Sequence, residues 1–107
     1  MAGVTRGDVY RVRFGRGLGH EQQGPRYGVI VQAASLLELS TVLVAPTSTS
    51  ALALTFRPEI EIAGAKTRVL LEHIRSVDVR RLGRRVSHLT LDEQRTIDDA
   101  LRTVLDL

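Results

Sequence analysis

Gly19-His20-Glu21-Gln22-Gln23-Gly24-Pro25-Arg26-Tyr27-Gly28-Val29-Ile30-Val31-Gln32 runs from a polar, glycine-broken loop straight into the most apolar strand-like stretch of the chain. Tyr27 to Gln32 is apolar on both faces, the pattern of a central strand covered on either side. The preceding residues place an imidazole, a carboxylate, several amides and a guanidinium on backbone made irregular by Gly19, Gly24 and Pro25. Polar groups on a loop anchored by a rigid strand are a common way to build a site. The same residue types also fill ordinary solvated hairpin loops, so composition alone leaves both readings open.

Working outward, Asp8 to Phe14 alternates, with Tyr10, Val12 and Phe14 on one face and Arg11 and Arg13 on the other. That is a half-buried strand with a basic outer face. Gly15 to Arg26 forms the long loop, and Ala33 to Leu39 reads as a connection with a short helical turn. Thr41 to Ala45 is a second buried strand, which Pro46 is expected to end because proline cannot donate to a ladder. The hydroxyls of Thr47, Ser48, Thr49 and Ser50 follow; they could bind phosphate or satisfy backbone groups at the strand end. Arg57 to Ile62 alternates Glu59 and Glu61 with Ile60 and Ile62, and Ala63-Gly64-Ala65 is a turn. Arg68 to Glu72 is a strong strand that continues in alternation to Asp78.

Arg80-Arg81 and Arg84-Arg85 around Gly83 read as a solvated turn. Thr90-Leu91-Asp92-Glu93 fits a capping box, and Ile97, Ala100, Leu101, Val104 and Leu105 make one apolar stripe behind it, so the chain closes in an amphipathic helix. The total is five or six strands followed by one helix. The expected fold is mainly β, a small and strongly bent antiparallel sheet or open barrel closed by a C-terminal helix.

The chain has 107 residues and no linker-like break in composition, which implies a single domain over residues 1–107. Its 43% hydrophobic and 25% charged residues are ordinary for a soluble protein, and nothing approaches the ~18 apolar residues of a membrane span. With no cysteine and no apolar leader at Met1 to Arg6, a cytoplasmic location without disulfides is expected. The net charge is only +3, but fourteen of fifteen basic residues are arginine, whose planar fork matches phosphate oxygens. Asp8, Glu21, Glu59, Glu61, Glu72 and Asp78 show no grouped metal-ligand spacing. No metal and no other cofactor is expected.

Arg6-Gly7-Asp8-Val9-Tyr10, Gly19-His20-Glu21-Gln22-Gln23-Gly24-Pro25-Arg26, Val44-Ala45-Pro46-Thr47-Ser48 and Leu71-Glu72-His73-Ile74-Arg75-Ser76-Val77-Asp78 occur in that order. In order and spacing they resemble the motifs of the MazF/PemK family of toxin endoribonucleases from bacterial toxin–antitoxin pairs. The resemblance spans nearly the whole chain. It implies a small SH3-like barrel of the PemK/CcdB type, a homodimer, and cleavage of single-stranded RNA at short sequences without a metal. It aligns Arg26 and Thr47 with the family's catalytic arginine and threonine, and places His20 where PemK-type members carry an acid–base histidine. Glu21, Gln22, Ser48, Glu72, His73 and Arg75 fall on positions implied to bind RNA. Three positions depart from the pattern: Tyr27 stands where proline commonly follows the arginine, Glu72 where many members have aspartate, and Leu70 where PemK-like members hold a second arginine.

Metal-free RNA cleavage can use the substrate's own 2′-hydroxyl, leaving a 2′,3′-cyclic phosphate and a 5′-hydroxyl. It needs a proton acceptor, a proton donor and charge stabilisation at the phosphorane. His20, with an ordinary pKa of about 6.5, suits proton transfer, Glu21 is a rival base, and Arg26 with Thr47 would hold phosphate oxygens. His88, just before the helix, reads as a solvated surface residue. The expected partners are single-stranded RNA and a cognate antitoxin whose disordered acidic C-terminal tail covers the basic groove, with promoter DNA reached only through that antitoxin. Two other functions remain: a CcdB-like toxin that binds a topoisomerase without chemistry, and a non-catalytic RNA-binding module.

Overall fold

The computed structural model describes residues 3–15, 25–36 and 40–107. Among them seven strands form one sheet: β1 (Asp8–Arg13), β2 (Pro25–Ile30), β3 (Thr41–Ser48), β4 (Glu59–Ile62), β5 (Ala65–Val69), β6 (Arg75–Asp78) and β7 (Leu82–His88). A single α-helix, α1 (Leu91–Leu105), follows. The strands run in the order β4-β5-β3-β2-β1-β7, with β6 also paired to β3, and every pairing is antiparallel. The result is the expected mainly β architecture, a curled half-barrel with a C-terminal helix.

The curl originates in β3. One edge of it pairs with β2 through Val44, Ala45 and Pro46, while the other edge pairs first with β6 over Thr41–Val44 and then with β5 at Thr47 and Ser48. Pro46 sits at this change of partner. The strand was expected to end there, but it continues to Ser48. The lost N–H falls where β6 has already left the edge, and the Pro46 carbonyl is satisfied by Leu70 N–H at 2.8 Å.

Through their middle, strands β1 to β3 are buried on both faces, as the apolar run of β2 requires, while Arg11, Arg13, Arg26, Thr41 and Leu43 stay exposed. One layer gathers Val9, Val29, Val31, Ala45, Ile60, Ile62, Val69 and Leu71 beneath Ile97 and Ala100 of α1. The other gathers Tyr10, Val12, Phe14, Ile30, Val42, Val44 and Val77, with Val79 and Leu82 at its margin. The capping box is complete: Thr90 Oγ1 accepts from Glu93 N–H at 3.1 Å, and Glu93 Oε1 accepts from Thr90 N–H at 2.9 Å. Such a cap contributes about 1 kcal/mol. Along the expected apolar stripe Ile97 and Ala100 are buried and Leu101 and Val104 partly so, but Leu105 stays exposed. No helix among the described residues is long and apolar enough to cross a membrane.

The arginine-rich segment departs from its reading as a solvated turn. Only Val79–Arg81 is a turn, of 3-10 type, and Arg84 and Arg85 lie in β7. Arg80 donates to both Asp78 carboxylate oxygens through its side chain and to Oδ1 through its backbone N–H. These bonds hold the Asp78 carboxyl down at about 2, so it caps the turn as an anion at all ordinary pH values. β7 was missed because its alternation is weak: Leu82, Val86 and Ser87 are half-buried and the rest is exposed. His88 is also more than a solvated residue. Its Nδ1 lies 2.7 Å from Oδ1 of Asp8, a fully buried carboxylate that also accepts from Thr5 N–H at 2.9 Å, so the pair ties the end of β7 to the start of β1.

Gly28 on β2 faces the second layer. A Cβ there would meet Val44 Cγ1 at 2.5 Å and the Phe14 and Val12 side chains at 3.1 Å. Gly28→Ala is expected to destabilise the fold by about 1–3 kcal/mol through overpacking, read as a lowered urea midpoint with unchanged slope. An unshifted midpoint would show that the second layer gives way there.

Candidate functional site

The start of β2, the end of β3 and the β4–β5 hairpin enclose a concavity of about 230 Å³. It is lined by Arg11, Arg26, Tyr27, Thr47, Ser48, Thr49, Ile62, Ala65 and Thr67. Its position follows from the behaviour of β3 at Pro46. Once the strand has exchanged β6 for β5, Thr47 pairs with Val69 and Ser48 with Arg68, which carries the hydroxyls to the mouth between β2 and the hairpin.

Thr47 is buried and Arg26 is exposed, yet both border this space. Thr47 Oγ1 donates to the Tyr27 carbonyl at 3.1 Å, so its proton is engaged while its oxygen lone pairs remain available to a donor. Arg26 lies opposite Val12 in the β1–β2 register, and no carboxylate among the described residues is within ion-pair distance of it. Ser48 is buried, with its Oγ 3.3 Å from both the hydroxyl and the backbone N–H of Ser50. The hydroxyls at the end of β3 therefore satisfy backbone groups, one of the two uses left open by the sequence, and also line the mouth of the concavity.

The remaining site candidates are placed elsewhere. His20, Glu21 and Gln22 lie outside the described residues. Glu72, His73 and Arg75 do not line the concavity. Glu72 and His73 occupy a 3-10 turn, Leu71–His73, where a strand had been expected, because the chain leaves β5 here to bridge to β6. Arg75 lies over the Phe14 ring at 5.5 Å. Glu72 Oε2 accepts from Arg57 Nε at 2.6 Å, and Arg57 in turn reaches the Leu52 carbonyl at 3.1 Å and packs over Phe56. This commits Glu72 to holding the run between β3 and β4. Its second oxygen, Oε1, is buried with no hydrogen-bond partner among the described residues.

Sequence reasoning did not single out Arg11, Tyr27, Ile62, Ala65 and Thr67 as site residues. Arg11 had a signal, its place on the outer face of β1, but only the pairing with β2 shows what it stands against. Among the described residues no group of three or more His, Asp or Glu side chains is placed to hold a metal ion.

The model of the PemK-like, MazF-like toxins of type II toxin–antitoxin systems matches residues 5–105. The chain belongs to this family. It is 43% identical over 106 residues to the candidate toxin Rv3098A of Mycobacterium tuberculosis, a match spanning 97% of this chain and 99% of that protein. Among solved structures it is similar to MazF from Deinococcus radiodurans, with a TM-score of 0.81, 23% identity and 94% of each chain covered. It is also similar to an endoribonuclease from a mycobacterial species solved in complex with its cognate antitoxin, with a TM-score of 0.79, 22% identity, and 95% of this chain and 94% of that one covered. At such identities these structures establish the MazF-like fold. Within that fold the chain keeps Arg26 and Thr47 at one concavity and sets Glu72 against Arg57.

Glu72→Ala is expected to cost about 1.5–3 kcal/mol, the usual worth of hydrogen bonds to a charged group, and to speed amide exchange selectively in residues 50–57. Exchange unchanged in that run would show that the Arg57 pair does not organise it.

Proposed function

We propose that this toxin is a metal-independent, sequence-specific endoribonuclease that cleaves single-stranded RNA by attack of the substrate's 2′-hydroxyl. The observation that carries the reading is that Arg26 and Thr47, distant in sequence, border the same concavity. A guanidinium without a carboxylate partner among the described residues suits a phosphate, which it can hold through two parallel N–H bonds. As the 2′-oxygen attacks, negative charge builds on the non-bridging oxygens, and Arg26 would stabilise it more in the phosphorane than in the substrate. The Thr47 hydroxyl, by rotating away from the Tyr27 carbonyl, would donate to a phosphate oxygen. His20 and Glu21 are the proposed groups for taking the 2′-hydroxyl proton and supplying one to the departing 5′-oxygen. DNA lacks the nucleophile, so this route selects RNA.

The remaining proposals follow from the family and its relatives. Residues 1–107 act as one toxin unit, and the working form is a homodimer. The activity is silenced by a cognate antitoxin, a proposal supported by the mycobacterial endoribonuclease solved with its own antitoxin. An acidic, disordered segment of that partner would complement Arg11 and Arg26 at the concavity. Promoter DNA would be met only through the antitoxin.

The purified protein is expected to cut a long RNA in the presence of EDTA and to leave 5′-hydroxyl ends. Arg26→Ala is expected to lower the rate at least ~100-fold with an unchanged unfolding midpoint. Full activity in the variant would remove the phosphate-holding role, and cleavage abolished by EDTA would replace the mechanism with a metal-dependent one.

A further inference from the structure

Arg11 and Tyr27 face each other across the β1–β2 pair, and both line the concavity that Arg26 and Thr47 border. Tyr27 is half-buried and packs against the core layer beneath α1, which makes it a fixed wall. Arg11 is exposed, and its guanidinium carbon lies 5.5 Å from the Tyr27 ring centroid. A guanidinium held over an aromatic ring uses one flat face for that contact. Its N–H bonds lie in its plane, so a contact made through the flat face restrains the fork while leaving its donors for a ligand. No carboxylate among the described residues is within ion-pair distance of Arg11.

The space beside this fork has an apolar component in Ile62 and Ala65 and hydroxyls in Thr49 and Thr67. At about 230 Å³ it is smaller than the ~300 Å³ at which clefts for drug-sized ligands begin. That suits one planar base better than a larger group. Arginine can only donate, so the base that fits must present acceptors to it. Guanine offers two side by side on an edge away from the ribose, O6 and N7, whereas adenine sets an amino donor beside N7, the adjacent pair of cytosine, N3 and O2, lies next to the ribose-bearing nitrogen, and in uracil an N–H separates O4 from O2.

We infer that Arg11, positioned by the Tyr27 ring, reads the edge of a guanine lying next to the phosphate held at Arg26 and Thr47, and so sets the base preference of this protein. The inference rests on the RNA-binding reading of the concavity and names which chemistry it selects. Tyr27 acts as the positioning residue, through Arg11.

The test uses uncleavable 2′-deoxy heptamers of uracil carrying a central guanine, adenine, cytosine or uracil, with binding followed by fluorescence anisotropy at several salt concentrations. The full-length wild-type protein is expected to favour the guanine heptamer about tenfold. Arg11→Ala is expected to erase that preference, and Arg11→Lys to reduce it, because an ammonium lacks the planar fork, while keeping the wild-type salt dependence because the charge remains. Tyr27→Leu is expected to reduce the preference with little change in salt dependence. Equal weakening on all four heptamers in Arg11→Ala, with the salt slope lowered by about 1, would make Arg11 a phosphate contact and overturn base reading. So would the absence of a guanine preference in the wild type, or its survival in Arg11→Ala. Because these oligonucleotides lack the 2′-hydroxyl nucleophile, a guanine preference would stand even if the protein failed to cut RNA, an outcome that would overturn only the nuclease proposal.

Discussion

Pro46 has no backbone N–H to give, and the sheet is arranged around that missing donor. A proline inside a strand costs a ladder bond unless its N–H side faces a gap. In this chain the gap is made by β3 changing partners along one edge, from β6 to β5, with Leu70 N–H supplying the bond that the Pro46 carbonyl needs. The same edge cannot follow two strands in one plane, so the sheet curls there. Thr47 and Ser48, which follow the proline directly, are then carried to the inner corner of the curl rather than left at a frayed end.

The corner explains why rigid and chemical roles coincide in so few residues. Thr47 belongs to the β5 ladder through its backbone and bonds the Tyr27 carbonyl through its hydroxyl, so its oxygen is held from two directions. Tyr27 continues β2 towards the core layer, and Arg26 precedes it at the mouth. Across the next pairing Arg11 rests over the Tyr27 ring. On the far side Arg57 and Glu72 pin the connection from β3 to β4, which keeps the rim beside Ser48 and Thr49 in place. A reacting phosphate and a neighbouring base would meet side chains that strands and ion pairs have oriented before binding, the condition under which electrostatic stabilisation is most effective.

Much of the architecture was legible in the residues because it rests on short-range rules. Alternation at Tyr10, Val12 and Phe14 and the doubly apolar run of β2 needed only the two-residue period of a strand, and Thr90 with Glu93 needed only the spacing of a helix start. The misreadings share one cause. Pro46 looked like a stop, and the segment of β7 around Gly83 looked like a turn, because each is admitted to the sheet by a distant neighbour: Leu70 bonds the first, and β1 pairs with the second through a register broken by bulges. His88 looked solvated for the same reason, since the carboxylate it binds is at the other end of the chain.

The sequence by itself determined the order of motifs, the family they belong to, the strand-rich class and the capped helix, all of which depend on residue types at fixed local spacings. Arg26 and Thr47 were nameable from it, but their sharing of one concavity was not. Tertiary structure alone decided that meeting, the ion pair that occupies Glu72, and the placement of Arg11 over the Tyr27 ring. Those are contacts between side chains brought together by strand register, and register is set by how two buried faces pack at once, a sum over the whole chain that no local stretch contains.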